Sequence, residues 1–523
     1  MPDYSIATEV SGSESGTAQG RASSGRIARA FGVQMVARVV GLMASIVTMA
    51  LTSRHLGLTS YGHLQAAIAF VGLWTSFTEL GIGAVIVRRV TSGLADLSQL
   101  VRVSVGLSIA YCVPLGALTL FMGWGIYSSQ GSEVVAMIAI VAVSLILTTL
   151  SSCFQPIFMT NVQFGAVAAS DVVGRVLSLA GTVWLISIDA PLVWFAAVQI
   201  VPPLVALVIQ AIAARRLVEI SPVFSVGESW HLIRESLPQT GVLIIAALYW
   251  RSDAFLLSIL STPQQLGAYS LAYGIAFNAT VISATYLASA LSTMTNLWAT
   301  DRDEFARFTV RSMQAMLFLG TPMVAIGLTL APGIIHLISD SEFVEIGSVA
   351  LGLLFIAVAL RFVNAVLSQA LFAAHDQVFL LRLNVVNLIG NIVLNVILIP
   401  PFGAAGAGIA LIASETVGLL VATWRLTRRS PYRTPWRFCL HLLVPLGATV
   451  GVCLALDDVL PVLVTAMIAG VVFLAVNLAL GPVHASAIRE LLARGGEPDA
   501  RDDESSKAPP TSSEPTSSEG NTR

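Results

Sequence analysis

Charge is what this sequence most conspicuously lacks. Only 11% of its 523 residues are Asp, Glu, Lys or Arg, against roughly 25% in an ordinary soluble protein, and a soluble fold could not cover its surface with so few. Lysine is almost missing: Lys507 is the sole one, and the other basic residues are arginines. Cysteine is scarce too. Cys112, Cys153, Cys439 and Cys453 lie in or beside apolar stretches without CxxC spacing, which argues against a disulfide framework or metal site and for small packing residues. No soluble-enzyme signature is present. The glycine-rich run at 403–408 follows Pro400 and Pro401 and lacks the strand-turn-helix setting of a dinucleotide site, so it reads as a tight turn with close helix packing. His375 and Asp376 have no partner at a useful spacing and read as a solvated turn. The net charge of −2 points to no nucleic-acid partner.

What is there is hydrophobicity, 55% of the chain, gathered into blocks of about 20 residues, the length that crosses roughly 30 Å of hydrocarbon at 1.5 Å per residue. The blocks predict fourteen transmembrane helices, near 31–52, 63–84, 103–123, 134–154, 169–188, 192–213, 239–260, 268–292, 313–337, 346–370, 378–399, 404–424, 438–456 and 460–480. The fold class is therefore an all-α polytopic membrane protein. Arginine sets the expected orientation. With the N-terminus in the cytoplasm, the arginines outside the spans fall on the cytoplasmic side except Arg54, as the positive-inside rule requires. Residues 1–30, which contain no signal-peptide-like apolar run, and the acidic, Ser/Pro-rich residues 481–523 read as disordered cytoplasmic tails.

An internal repeat emerges at an offset of 213. Asp171, Gly174, Ser178 and Thr182 fall on Asn384, Asn387, Asn391 and Asn395, four positions that share one side of a helix at about 100° per residue. The same offset carries Arg38 onto Arg251 and Ser45 onto Ser258. Six helices per copy is an even number, so the copies keep one orientation, as in parallel-repeat transporters. The expected organisation is an N-lobe at 31–213, a cytoplasmic linker at 214–238, a C-lobe at 239–424 and an appended helix pair at 438–480.

The polar residues inside the spans mark the candidate site. The first span places Gln34, Arg38, Gly41, Ser45, Thr48 and Thr52 on one stripe, and the tenth carries Arg361, Asn364 and Ser368 on one face. A charge in hydrocarbon costs at least ~2.5–3.5 kcal/mol, so Arg38, Arg175, Arg251 and Arg361 are expected to face a wet cavity or a partner. The asparagines serve interhelical hydrogen bonding or cavity lining. Guanidinium binds phosphate bidentately and keeps its charge, so a cavity rich in arginine suits an anion. The acids near the spans, Glu79, Asp171, Asp253 and Glu415, read as interhelical ion-pair partners. Glu79, Asp253 and Glu415 are also candidates for coupling to a proton or sodium ion, with the membrane potential as a third driving force.

Four segments carry a family likeness: SRHLGLTSYG at 53–62, ELGIGAVIVRRV at 79–90, RSDAFLLSILSTPQQLGAYSLAYGIAF at 251–277 and NIVLNVILIPPFGAAGAGIALIASE at 391–415. Together they resemble the polysaccharide transporters of the multidrug/oligosaccharidyl-lipid/polysaccharide exporter superfamily, the O-antigen and exopolysaccharide flippases, over about residues 31–424. The resemblance implies two six-helix lobes around a cavity that opens alternately to either side of a bacterial cytoplasmic membrane, and no enzymatic activity or cofactor. The implied substrate is a polyprenyl-pyrophosphate-linked oligosaccharide, with its pyrophosphate at the arginines, its sugars at the Asn, Gln, Ser and Thr faces and its tail among membrane lipids. Implied partners are a glycan polymerase and glycosyltransferases. Two alternatives stay open: a cation-coupled multidrug exporter, and a lipid II flippase, which the helix count resembles.

Overall fold

The computed structural model describes residues 15–161, 163, 165–457 and 459–482, and among them every regular element is helical. The first half of the chain forms α1 (Ser15–Trp74), α2 (Ser76–Glu79), α3 (Ile82–Thr91), α4 (Leu97–Tyr127), α5 (Ser132–Ser152), α6 (Gln155–Thr160), α7 (Gly165–Ser187), α8 (Leu192–Val198) and α9 (Val201–Ala214). The second half forms α10 (Val226–Leu260), α11 (Pro263–Asn278), α12 (Thr280–Thr300), α13 (Arg302–Thr329), α14 (Ala331–Ile338), α15 (Val344–Ala373), α16 (Gln377–Arg429), α17 (Trp436–Leu456) and α18 (Val462–Leu480). The chain is a polytopic all-α membrane protein. Among the described residues eleven helices are long and apolar enough to cross a membrane, or twelve if the pair bent by 41° within α11–α12 is one span.

This count is lower than the expected fourteen because each continuous helical run is counted once. The first and second expected spans run together in α1, and the eleventh and twelfth in α16. In each a single residue leaves helical geometry, Gly57 (φ 70°, ψ 174°) and Gly403 (φ 55°, ψ −128°), a positive φ that glycine adopts without steric cost. The eighth expected span falls across the α11–α12 bend. At Gly403 the chain doubles back: a β-carbon on Gly406 would collide with the carbonyl of Leu398, which in a straight helix would lie about 12 Å away. Two expected boundaries also shift. Helix α1 begins at Ser15, inside the stretch expected to be a disordered tail, because a nucleated helix gains a hydrogen bond for each residue added. Helix α10 begins at Val226, inside the expected linker, where the Ser225 hydroxyl accepts from the Glu228 N–H at 3.4 Å and caps it. Residues 1–14 and 483–523, the latter nearly all of the second expected tail, lie outside the described residues.

Packing follows from the solvent being lipid. Met467 and Val471 on α18 are 70% and 65% exposed, whereas Thr309, Asn391 and Asn395 are completely buried. Apolar side chains face outward and hydrogen-bonding groups face protein, since no water is available in hydrocarbon to satisfy them. Helix α1 packs against α5 and α7 on one side and α10 and α11 on the other, and α10 packs against α16. The 213-residue offset matches α1 to α10 and α7 to α16, and the corresponding pairs, α1 with α7 and α10 with α16, are both in contact. Helices α17 and α18 pack on each other and dock on α13, where Phe438, Leu442 and Phe473 cover Leu317 and Phe318.

Where α1 crosses α11 the contact is backbone against backbone. Gly62 faces the Pro263 carbonyl, and a β-carbon on Gly267 would lie 2.7 Å from the Leu58 carbonyl oxygen. Small residues permit this approach between membrane helices. Gly62→Val is expected to destabilise the fold by about 1–3 kcal/mol through overpacking, seen as a lower thermal-unfolding midpoint in detergent; an unchanged midpoint would contradict the close crossing.

The loops segregate to two ends of the bundle. At one end Arg88 and Arg89 of α3 both bind Glu235 of α10, and Gln99 donates to Glu228 at 2.9 Å. At the other end Arg54 donates to the Leu337 and Ile338 carbonyls of α14, the Leu58 N–H donates to Glu342, and Gln130 donates to the Ser258 carbonyl at 3.0 Å. Both ends are tied. Asp376 corrects a sequence expectation. It is buried rather than solvated, 6% exposed, and binds Arg425 at 2.6 Å and Arg429 at 3.4 Å. The reversal at Gly403 brings the last turns of α16 back beside it. Its neighbour His375 is exposed, with a positive φ of 57°.

Candidate functional site

Helices α1, α7, α9, α10 and α11 line a cavity of about 460 Å³. The α1 stripe supplies Ser45, Thr48 and Thr52, three positions at helical spacing. The Ser45 and Thr48 hydroxyls donate back to the Gly41 and Ala44 carbonyls at 3.0 and 2.8 Å, which settles their protons and leaves their oxygens as acceptors. Gln65 and Gln199 add amides, and Tyr61, Trp250, Tyr269 and Tyr273 form an aromatic wall.

Two arginines reach this cavity, in different electrostatic states. Arg175 of α7 binds Asp171 one turn earlier at 2.9 Å and donates to the Ser45 hydroxyl at 2.6 Å. The absence of a side chain at Gly41 makes room for it, since a β-carbon there would come within 3.1 Å of the Arg175 Cδ. Arg251 of α10 is exposed and has no hydrogen bond or ion pair among the described residues. Its stem passes Gly72, where a β-carbon would be 3.5 Å from its Cδ. With Arg175 and Asp171 cancelling, Arg251 leaves the cavity with one uncompensated positive charge.

A second cavity of about 250 Å³ adjoins the first and shares Trp250 in its lining. Here Arg361 of α15 donates to Glu415 of α16 at 2.9 Å and lies over the Trp250 ring at 3.5 Å. Glu415 is only 4% exposed and also accepts from the Tyr249 hydroxyl at 2.9 Å and the Asn364 amide at 2.7 Å. A buried carboxylate is tolerable on these terms: paired with a cation and with both oxygens hydrogen-bonded.

The asparagine face of α16 divides between these environments. Asn384 and Asn387 line the second cavity. Asn391 and Asn395 are wholly buried and hold Asp253: the Asn395 amide donates to one carboxylate oxygen at 2.8 Å, the Tyr269 hydroxyl donates to the other at 3.3 Å, and Ser252 donates to Asn391 at 3.2 Å. Arg251 and Asp253, two residues apart, thus point in opposite directions, one into the cavity and one into the packed interior.

Arg38 is exposed and lines neither cavity, and the side chains of Gln34 and Glu79 lie outside the described residues. The aromatic wall is missed when polar periodicity alone is sought. Its signal was the placing of Tyr249 and Trp250 directly before Arg251, and the i,i+4 spacing of Tyr269 and Tyr273 on one helix face. No group of three or more His, Cys, Asp or Glu among the described residues is placed to hold a metal ion.

Residues 27–298 match the family described as polysaccharide biosynthesis protein. Comparison with curated proteins returned no match. Among solved structures the chain is similar to a lipid II flippase, MurJ, in an inward closed conformation, with a TM-score of 0.71 and 14% identity over 88% of this chain and 99% of that one. It is also similar to an inward-facing multidrug resistance MATE family transporter of the MOP superfamily, with a TM-score of 0.61 and 14% identity over 75% and 98% of the two chains. A Vibrio cholerae MATE transporter aligns with a TM-score of 0.53 and 15% identity over 77% and 97%. These likenesses establish a shared fold.

Proposed function

Because the chain belongs to the polysaccharide biosynthesis protein family, we propose that it is a flippase that carries a polyprenyl-pyrophosphate-linked oligosaccharide across the cytoplasmic membrane by alternating access. Arg251 carries this reading. It is an unpaired guanidinium in a cavity of about 460 Å³ between the two halves of the chain, and a pyrophosphate is the headgroup that such a fork binds bidentately. The hydroxyl and amide walls suit sugars, and the exposed apolar belt lets a prenyl tail stay in lipid. Ties at both ends of the bundle suit a closed intermediate of an alternating cycle. The arginine-rich end, where Arg88, Arg89, Arg425 and Arg429 gather, faces the cytoplasm on the positive-inside rule, and both termini lie on that side.

A multidrug exporter of the same fold would want a free carboxylate for cationic drugs, but the acid in the main cavity, Asp171, is engaged by Arg175. Lipid II remains within the proposed chemical class, as a prenyl-pyrophosphate-linked glycan. The reading is tested in proteoliposomes by following a fluorescent prenyl-pyrophosphate-linked oligosaccharide and a fluorescent lipophilic cation side by side. Movement of the glycolipid alone is expected; movement of the cation alone would overturn the proposal.

A further inference from the structure

The two adjoining cavities differ in the kind of ligand they can satisfy. The first has an excess positive charge on Arg251. The second is electroneutral, because Glu415 accepts from Arg361 and the guanidinium is further held against the Trp250 ring. A phosphate offers only acceptors and a double negative charge, so it gains most where donors outnumber acceptors and no carboxylate stands by. Glu415 makes the second cavity a poor place for it. A sugar hydroxyl both donates and accepts, and it is well met by a side-chain amide, which offers an acceptor oxygen and two N–H donors together.

The second cavity offers that mixture with spare capacity. Asn384 and Asn387 line it and make no hydrogen bond among the described residues, and the Asn387 amide oxygen is buried without a partner. Gly418 opens the space between them and Asn364: a β-carbon there would sit 2.7 Å from the Asn387 amide nitrogen and 3.2 Å from that of Asn364. An unsatisfied buried amide is costly by itself and is relieved by a polar ligand.

We propose that the second cavity is a subsite for an uncharged sugar, the residue joined to the pyrophosphate, with Trp250 as the partition between it and the pyrophosphate at Arg251. This rests on the flippase reading above and sharpens it. Asn384 and Asn387 become specificity-determining residues for the first sugar. Arg361 becomes a positioning residue that holds Trp250 and Glu415 in place, and phosphate binding is left to Arg251.

The test uses the purified full-length protein in nanodiscs and two probes, prenyl pyrophosphate without sugar and the same lipid bearing a neutral sugar on its pyrophosphate. The variant Asn384→Ala/Asn387→Ala removes no hydrogen bond of the folded protein. It is expected to weaken binding of the glycosylated probe about 5- to 150-fold, the loss expected for two neutral hydrogen bonds, and to leave the sugar-free probe at its wild-type affinity. Gly418→Val, which fills the space between the asparagines, is expected to do the same. Equal losses for both probes, or no loss for either, would overturn the sugar subsite while leaving the flippase reading intact. Failure of the wild-type protein to bind the sugar-free probe, or wild-type affinity for it in Arg251→Gln, would instead overturn the flippase reading and the subsite with it.

Discussion

Arg251→Gln is expected to reduce transport of a prenyl-pyrophosphate-linked glycan by about 10- to 100-fold while leaving membrane insertion and thermal stability as they are. The magnitude is that of a charge-assisted hydrogen bond, about 1.5–3 kcal/mol, taken as binding energy at about 1.4 kcal/mol per tenfold change. The indifference of folding follows from the geometry: Arg251 is exposed and has no ion pair or hydrogen bond among the described residues to lose. Arg251→Lys keeps the charge but not the planar fork, and should fall between the two. Arg175 makes an instructive contrast, because its guanidinium is shared between Asp171 and Ser45, so its replacement disturbs the α1–α7 contact as well as the cavity. The measurement is the rate at which a labelled glycolipid becomes accessible on the far side of reconstituted vesicles. Wild-type rates in Arg251→Gln would remove the observation on which the proposed function stands.

Glu415→Leu is expected to have the largest effect on stability, a loss of about 3–5 kcal/mol, as when one partner is removed from a buried ion pair. Three donors converge on this carboxylate, from Arg361, Tyr249 and Asn364. Removing it strands a guanidinium that is 22% exposed along with a hydroxyl and an amide. Glu415→Gln keeps the shape and an acceptor and should lose less. In the double variant Arg361→Leu/Glu415→Leu the stranded charge is gone, and much of the stability should return, since apolar replacement of a whole buried pair is often neutral or better. Thermal unfolding in detergent reads all three. A single variant as stable as the wild type, or a double variant no better than Glu415→Leu, would show that the pair is not the buried unit described here.

These two residues also show where sequence reading succeeds and where it stops. Scarce charge, apolar blocks of membrane length and one-sided arginine are properties of composition and order, and they sufficed for an all-α membrane protein with alternating loops. The stripe at Ser45, Thr48 and Thr52 was legible because helical periodicity is local, and Arg251 was legible because an arginine inside an apolar span has few uses. The span count turns on whether a continuous helical run broken by a glycine, as at Gly57 and Gly403, is taken as one crossing or two.

Partnership was beyond reach. The 213-residue offset aligns Arg38 with Arg251, yet one lies outside both cavities and the other lines the larger of the two. Arg361 and Glu415 are 54 residues apart, and Asp376 meets Arg425 only because the chain reverses at Gly403. Spacing along one helix says which side chains share a face; it does not say what the neighbouring helix presents to that face. Whether an arginine within a span is a free charge for a ligand or half of an ion pair is a matter of a few ångströms between distant segments, and it is settled by packing. The membrane class, the helical stripes and the charge asymmetry thus belong to the amino-acid order, while the division into one cationic and one neutral cavity belongs to the fold that brings those stripes together.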